Sequence, residues 1–309
     1  MTSIFDRLIQ KKNKYLCSKQ LDKIYSTPPI KYQPSEDVIV FSMIGKQHIA
    51  PYLVAIKSFL TWFNHISVHL LNDGSLDKDD ISLITSHVPG IHISHISDID
   101  TGKMPKGGCW ERLIKLVSLL EHNYVVQLDS DIVVGGPLVE VYEHIQNQHS
   151  FTIGNPRWPQ PAPVEYIADV AKKWDSNHVQ TLAEIAMPSI PMLQNEKFCI
   201  TRGCAGFCGL PKGSISIEFL ETFSLQMEDA IGNDKWHEWG SEQVASNFLV
   251  SKSNGAHILS WPKYQNYSHP QSNEPVNSAC VVHFMGTNRY DQGAYKQMAE
   301  KTISALINS

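Results

Sequence analysis

Apolar, β-branched runs of strand length alternate with helical patterns along most of this chain, which leaves it few architectures. The run Asp37-Val38-Ile39-Val40-Phe41-Ser42 reads as a buried strand. Residues 52–60 read as a helix, with Pro51 near its first turn. Residues 67–71 are a second strand, closed by the turn Asn72-Asp73-Gly74-Ser75. A short helix follows over 79–85, then a third strand at Ile91-His92-Ile93. Strands alternating in this way with helices form a mostly parallel sheet with helices on both faces. Such α/β sheets hold ligands at the carboxyl ends of their strands, so site residues are expected just past each strand.

The pattern continues. Trp110, Leu113, Leu116, Val117 and Leu120 recur at three- and four-residue steps and predict a helix over 109–121. Tyr124-Val125-Val126-Gln127-Leu128 is a strong strand that delivers Asp129-Ser130-Asp131, and Ile132-Val133-Val134 continues it until Gly135-Gly136-Pro137. Helices are expected over 217–227, 241–250 and 294–306, and a late strand at 281–284. Residues 1–36 read as an N-terminal helical extension and linker, and 37–309 as the one main domain. Residues 155–200, rich in proline and aromatics, read as a partly irregular insertion over the sheet with one helical stretch at 168–174.

Composition narrows the function classes. The 309 residues carry 26 Lys+Arg against 31 Asp+Glu, a net charge of −5, which disfavours a nucleic-acid binder that works by neutralising phosphates. The N-terminus has no signal-peptide core and no run reaches membrane-spanning length, so the expected location is cytoplasmic, with peripheral membrane contact left open. Six cysteines are too sparse for a disulfide scaffold. They read as reduced thiols, with a zinc site at Cys204/Cys208 a distant second.

Two carboxylates two residues apart on an extended segment point the same way. Placing like charges that close is costly unless a cation sits between them. Asp129 and Asp131 therefore suggest a site for a hard divalent ion, Mn²⁺ or Mg²⁺; the alternative is a solvated turn. His283 ends the apolar run Ala279 to Val282 and could complete a mixed oxygen–nitrogen set suited to Mn²⁺. The alternative for it is a core histidine.

At this point the motifs carry a resemblance. Arg112 through Val134, an arginine on a helix followed by a strand and D-x-D, resembles the central block of GT-A glycosyltransferases of family 8, the glycogenin and bacterial galactosyltransferase type. Ala205-Gly206 matches the end of that family's N-A-G element, with Cys204 in place of Asn. Glu242-Gln243 stands where the family has D-Q, and His283 to Arg289 matches H-x-x-G-x-x-K with Arg for Lys. Two elements depart: the D-x-x-Y expected after the first strand and the Pro-Trp after the last motif are absent.

The resemblance implies a GT-A (Rossmann-like) fold and a metal-dependent transfer of hexose from a nucleotide sugar, UDP-Glc or UDP-Gal. A saccharide or glycolipid acceptor and retention of configuration are the corresponding expectations. It implies Asp129, Asp131 and His283 as metal ligands and a donor site of Ser42, Met43, Asp73, Arg112, Ser130, Ala205, Gly206, Gly286 and Arg289. Glu242 and Gln243 are the catalytic candidates, Glu242 as base in an inverting reaction or Gln243 as weak assistance in a retaining one. Trp236 and Trp239, just before them, are the candidate acceptor contacts. Plainer roles compete: a turn for Asp73, a surface ion pair for Arg112, helix capping for Glu242 and Gln243. Two other classes compete as well. A haloacid-dehalogenase-like phosphatase also carries D-x-D after a strand, but wants a small flexible pair next, where this chain has Ile132-Val133. A non-catalytic sugar- or partner-binding protein on the same fold would leave three retained metal ligands unexplained.

Overall fold

The computed structural model describes residues 4–194, 197–267 and 276–308. Its strands are β1 (Val38–Ile44), β2 (Ser67–Asn72), β3 (His92–His95), β4 (Tyr124–Leu128), β5 (Ile132–Val134), β6 (Phe151–Ile153), β7 (Ala162–Pro163), β8 (Cys199–Ile200), β9 (Cys204–Leu210), β10 (His257–Leu259), β11 (Tyr264–Asn266) and β12 (Val281–His283). Its α-helices are α1 (Ile4–Leu21), α2 (Ile49–Trp62), α3 (Lys78–His87), α4 (Trp110–Leu119), α5 (Val139–Gln146), α6 (Val164–Ala171), α7 (Val179–Ala186), α8 (Ile217–Ile231), α9 (Asn233–Trp236), α10 (Ser241–Lys252) and α11 (Ala294–Ile307).

β4, β1, β2 and β3 lie side by side and parallel. On the other flank β9 runs antiparallel to both β4 and β6, and β10 lies parallel to β6. The result is a seven-stranded, mostly parallel sheet in the order β10-β6-β9-β4-β1-β2-β3. Both faces are covered. Along β1, Val40 and Ile44 enter the apolar cluster of α2 and α11, while Ile39 and Phe41 enter that of α4, α8 and α10. Burial on both sides is why β1 is apolar at every position but Ser42.

One expectation is corrected. Ile132-Val133-Val134 does not prolong β4. The chain leaves the main sheet at Asp129, and β5 joins β12 and β11 in a separate three-stranded sheet. There β5 is antiparallel to β12, with His283 opposite Ile132. The apolar pattern runs through the break because both strands are buried.

The insertion is more ordered than its proline content suggests. It holds β7, α6, α7, two 3₁₀ turns and β8, and Ile167, Val179, Ala183 and Met187 join the cluster beneath α4 and α8. The expected helix at 168–174 starts earlier, at Val164, and ends at Ala171; residues 195 and 196 lie outside the described residues. Before the first strand lie α1 and a 3₁₀ turn at Asp22–Ser26; residues 1–3 lie outside the described residues too. Lys57, fully buried on α2, ties the linker down: its Nζ donates to Thr27 Oγ1 (2.8 Å) and Pro28 O (2.7 Å) and meets His87 Nδ1 at 2.9 Å. With no carboxylate beside it among the described residues, burial lowers its pKa to about 8. No helix among the described residues is long and apolar enough to cross a membrane.

Candidate metal centre

Asp129 and Asp131 stand where the chain passes from the main sheet to the second one. Backbone bonds fix the passage: Asp129 N donates to Gly206 O (2.8 Å) and Phe284 N to Asp131 O (2.8 Å). The antiparallel register of β5 and β12 then sets the His283 imidazole against the pair. Its Nε2 lies 3.0 Å from Asp131 Oδ1 and 4.0 Å from Asp129 Oδ2. Asp129, Asp131 and His283 can each offer one ligand atom, all within 4.8 Å of one another.

Each carboxylate also has an arginine. Arg112 Nη1 meets Asp129 Oδ1 at 2.5 Å, and Arg289 Nη2 meets Asp131 Oδ2 at 2.9 Å. Arg112 reaches from α4, and its other arm holds Glu242 Oε1 of α10 at 3.0 Å. The two helices are pinned at this level by Trp110 Nε1, which donates to Ser241 Oγ (2.9 Å). Burial works against the charge on Arg112, but Asp129 and Glu242 hold its pKa well above the ordinary value. Burial raises the Glu242 carboxyl, and Arg112 offsets part of that rise. Burial likewise opposes ionisation of Asp131, yet His283 and Arg289 leave its pKa below the usual carboxylate range. His283 is buried, which disfavours its charge; Cys204 and Asp131 nonetheless push it well above the ordinary imidazole value.

The residues fit a divalent ion. Two carboxylates and an imidazole converge, and the positive side chains beside them supply the neutralisation that such an ion would provide. The backbone cradles the cluster as closely as it can. A Cβ at Gly206 of β9 would stand 2.4 Å from His283 Cε1 and 2.9 Å from Asp129 Oδ2. Glycine is therefore required there by close approach.

Supporting residues emerge, Cys204 from the departing position of the N-A-G element and the others from outside the motifs. Asn266 pairs with His283 across β11 and β12, and its Oδ1 lies 3.1 Å from His283 Nδ1. Cys204 Sγ approaches the same nitrogen at 3.2 Å. Together they hold the ring so that Nε2 faces the carboxylates. Gln127 Nε2 donates to Asp129 Oδ1 (3.0 Å). Its signal was present in the sequence: an amide inside an otherwise apolar strand.

The remaining sequence candidates divide. The Gln243 amide bridges Ala205 N and Gly203 O, both at 3.0 Å, so it shapes the β9 edge beside the cluster. Ala205 is buried there, and Ser130 sits half-buried between the two aspartates. Gly286 adopts a left-handed φ of 66° and its carbonyl accepts from Arg289 Nε (3.0 Å), closing the turn that aims the guanidinium. Ser42 is turned inward, its Oγ donating to Leu128 O (2.6 Å), and Met43 packs against the α4-side cluster. Asp73 caps its own turn, accepting from Ser75 N and Oγ at 2.9 and 2.6 Å. Trp236 needs correcting as an acceptor contact. It is 0 % exposed, its Nε1 donates to Ser224 Oγ (2.9 Å), and no ring face is left for a ligand. Trp239 is 75 % exposed.

No protein-family model matches the chain, and no curated protein matches it in sequence. Solved structures do match. An active-site mutant of the galactosyltransferase LgtC superposes with a TM-score of 0.51 at 13% identity, over 85% of this chain and 95% of that one. The glycosyltransferase GlyE of Streptococcus pneumoniae TIGR4 gives a TM-score of 0.52 at 12% identity, over 89% of this chain and 62% of its own length. At these identities the likeness speaks for the fold, and the chain has the GT-A fold of those glycosyltransferases.

Proposed function

We propose that this chain is a metal-dependent glycosyltransferase that moves a hexose from UDP-Glc or UDP-Gal to a hydroxyl of a saccharide or glycolipid, with retention of configuration. The observation that carries the reading is the convergence of Asp129, Asp131 and His283 at the end of β4, with an arginine on each carboxylate. Mn²⁺, or Mg²⁺, held by those three residues would offset the charge of a departing diphosphate.

The chain's own groups do the rest. Arg289 offers a planar donor fork to the diphosphate once its hold on Asp131 is relaxed. Arg112 faces the donor sugar, and Glu242 fixes its direction from behind. Glu242 is 6 % exposed and its Oε1 already bonds Arg112, so it is poorly placed to take a proton from an acceptor. That favours retention, which needs no such base. Gln243 shapes the sugar pocket through Gly203 and Ala205, and Trp239 remains the candidate acceptor contact.

The test is a thermal-shift screen of nucleotide sugars with and without Mn²⁺, followed by donor hydrolysis. A Mn²⁺-dependent shift with a UDP-hexose that vanishes in Asp131→Ala supports the reading. Absence of any shift or turnover with every nucleotide sugar and either metal overturns it.

A further inference from the structure

The amino-terminal extension precedes every motif named so far, yet it packs beside the metal cluster. Cys17, Gln20 and Leu21 of α1 and Ile24 just beyond it are buried at three- and four-residue steps, one helix face. That face lies on α11 and on the segment Thr287–Gly293, which carries Arg289. Between α1, the loop after β1 and this segment is a cavity of about 320 Å³.

Its lining is cationic and aromatic. Lys14 and Tyr25 come from the extension, Lys46 from the loop, Arg289 and Tyr290 from the segment, and Tyr295 from α11; Asp22 also borders it. Lys46 is engaged by Asp77 and Asp80, whereas Lys14 has no ion-pair partner among the described residues. Arg289 links the cavity to the cluster, because the guanidinium that borders it also holds Asp131 at 2.9 Å. Tyr295 is 1 % exposed, and its hydroxyl has no hydrogen-bond partner among the described residues. A buried hydroxyl left so is costly, and an oxygen of a bound ligand would satisfy it.

We propose that this cavity binds a nucleoside diphosphate and that the extension is a wall of the donor site, with Lys14 and Tyr295 as diphosphate-binding groups. The proposal rests on the glycosyltransferase reading. Cationic groups from three elements surround a space larger than one phosphate needs, beside a candidate divalent ion, and Tyr25 and Tyr290 offer rings for a base. The extension thereby does two things at once: it presses the Arg289 segment into place and contributes a cation of its own.

The experiment is calorimetric titration of the full chain with UDP, GDP and inorganic pyrophosphate in Mn²⁺. The variants are Lys14→Glu, Tyr295→Phe and, as control, Lys12→Glu on the exposed side of α1. Lys14→Glu should weaken nucleoside diphosphate binding at least about tenfold and Tyr295→Phe several-fold, with Lys12→Glu unchanged. Without ligand, Tyr295→Phe should melt no lower than the wild type, since the hydroxyl it removes has no partner. Pyrophosphate should bind more weakly than the nucleotides but respond to Lys14→Glu in the same direction. Wild-type UDP and GDP affinity in both Lys14→Glu and Tyr295→Phe overturns this inference while leaving the transferase reading intact. A wild-type chain that binds none of the three anions overturns both.

Discussion

The sharpest consequence of the geometry concerns Gly206→Ala. The added Cβ would stand 2.4 Å from His283 Cε1 and 2.9 Å from both His283 Nε2 and Asp129 Oδ2. Comfortable carbon contacts begin near ~3.5 Å, so something must yield by about 1 Å. β9 is poorly placed to give way, being paired with β4 on one side and β6 on the other. The imidazole is the softer partner, and it would withdraw from Asp131. Metal sites tolerate ligand displacements of about 0.2 Å. Losing a supporting residue alone costs roughly 10- to 100-fold in metal affinity. Gly206→Ala should therefore weaken Mn²⁺ binding by about 100-fold or more. Overpacking should lower stability by only about 1–3 kcal/mol, leaving a folded protein. Calorimetric Mn²⁺ titration in the presence of UDP, alongside a thermal melt, reads both quantities. A folded variant with wild-type Mn²⁺ affinity would refute the claim that this glycine exists to let the ligands close.

Other outcomes follow from the same structure. Arg112→Met leaves Asp129 and Glu242 without their shared cation and should cost about 3–5 kcal/mol in denaturant unfolding; adding Glu242→Gln should recover part of it. Lys57 gives a pH dependence. Below pH 8 both folded and unfolded states hold its proton and the fold bears a buried charge. Between about 8 and the ordinary 10.5 the unfolded chain alone keeps the proton, so stability should rise with pH. The rise is roughly 3 kcal/mol at most, and Lys57→Met should abolish that slope in melts across this window. His283→Ala should weaken metal affinity and shift the Mn²⁺ dependence of turnover; an unaltered titration would count against its role. Trp236→Ala should lose about 3–5 kcal/mol of stability, whereas Trp239→Ala should leave the melt unchanged and raise the acceptor KM.

Much of the sheet was legible from local pattern. β1, β2, β4 and the helices α4, α8 and α10 follow from runs buried on both faces or on one stripe, a signal that needs no partner to be read. β9 was not legible: Cys204 to Leu210 contains two glycines, and nothing local says that it runs antiparallel between β4 and β6. α7 and the order of the insertion were missed for a related reason, since its prolines obscure a pattern that tertiary burial completes. Asp129, Asp131 and His283 could be picked out because each stands just after or at the end of an apolar run. Asn266 and Cys204 could not be tied to His283, because their strands become its neighbours only in the folded sheet.

Residue order thus settled the alternation of strands and helices along much of the chain and the acidic pair after the central strand. Tertiary structure decided what those residues face. It split LDSDIVV between two sheets, brought an imidazole from far along the chain to 3.0 Å from Asp131, and turned Trp236 inward. Hydrophobic periodicity is a property of neighbours in sequence, but the approach of like charges depends on which distant cations arrive to neutralise them, and that is fixed only when the strands close.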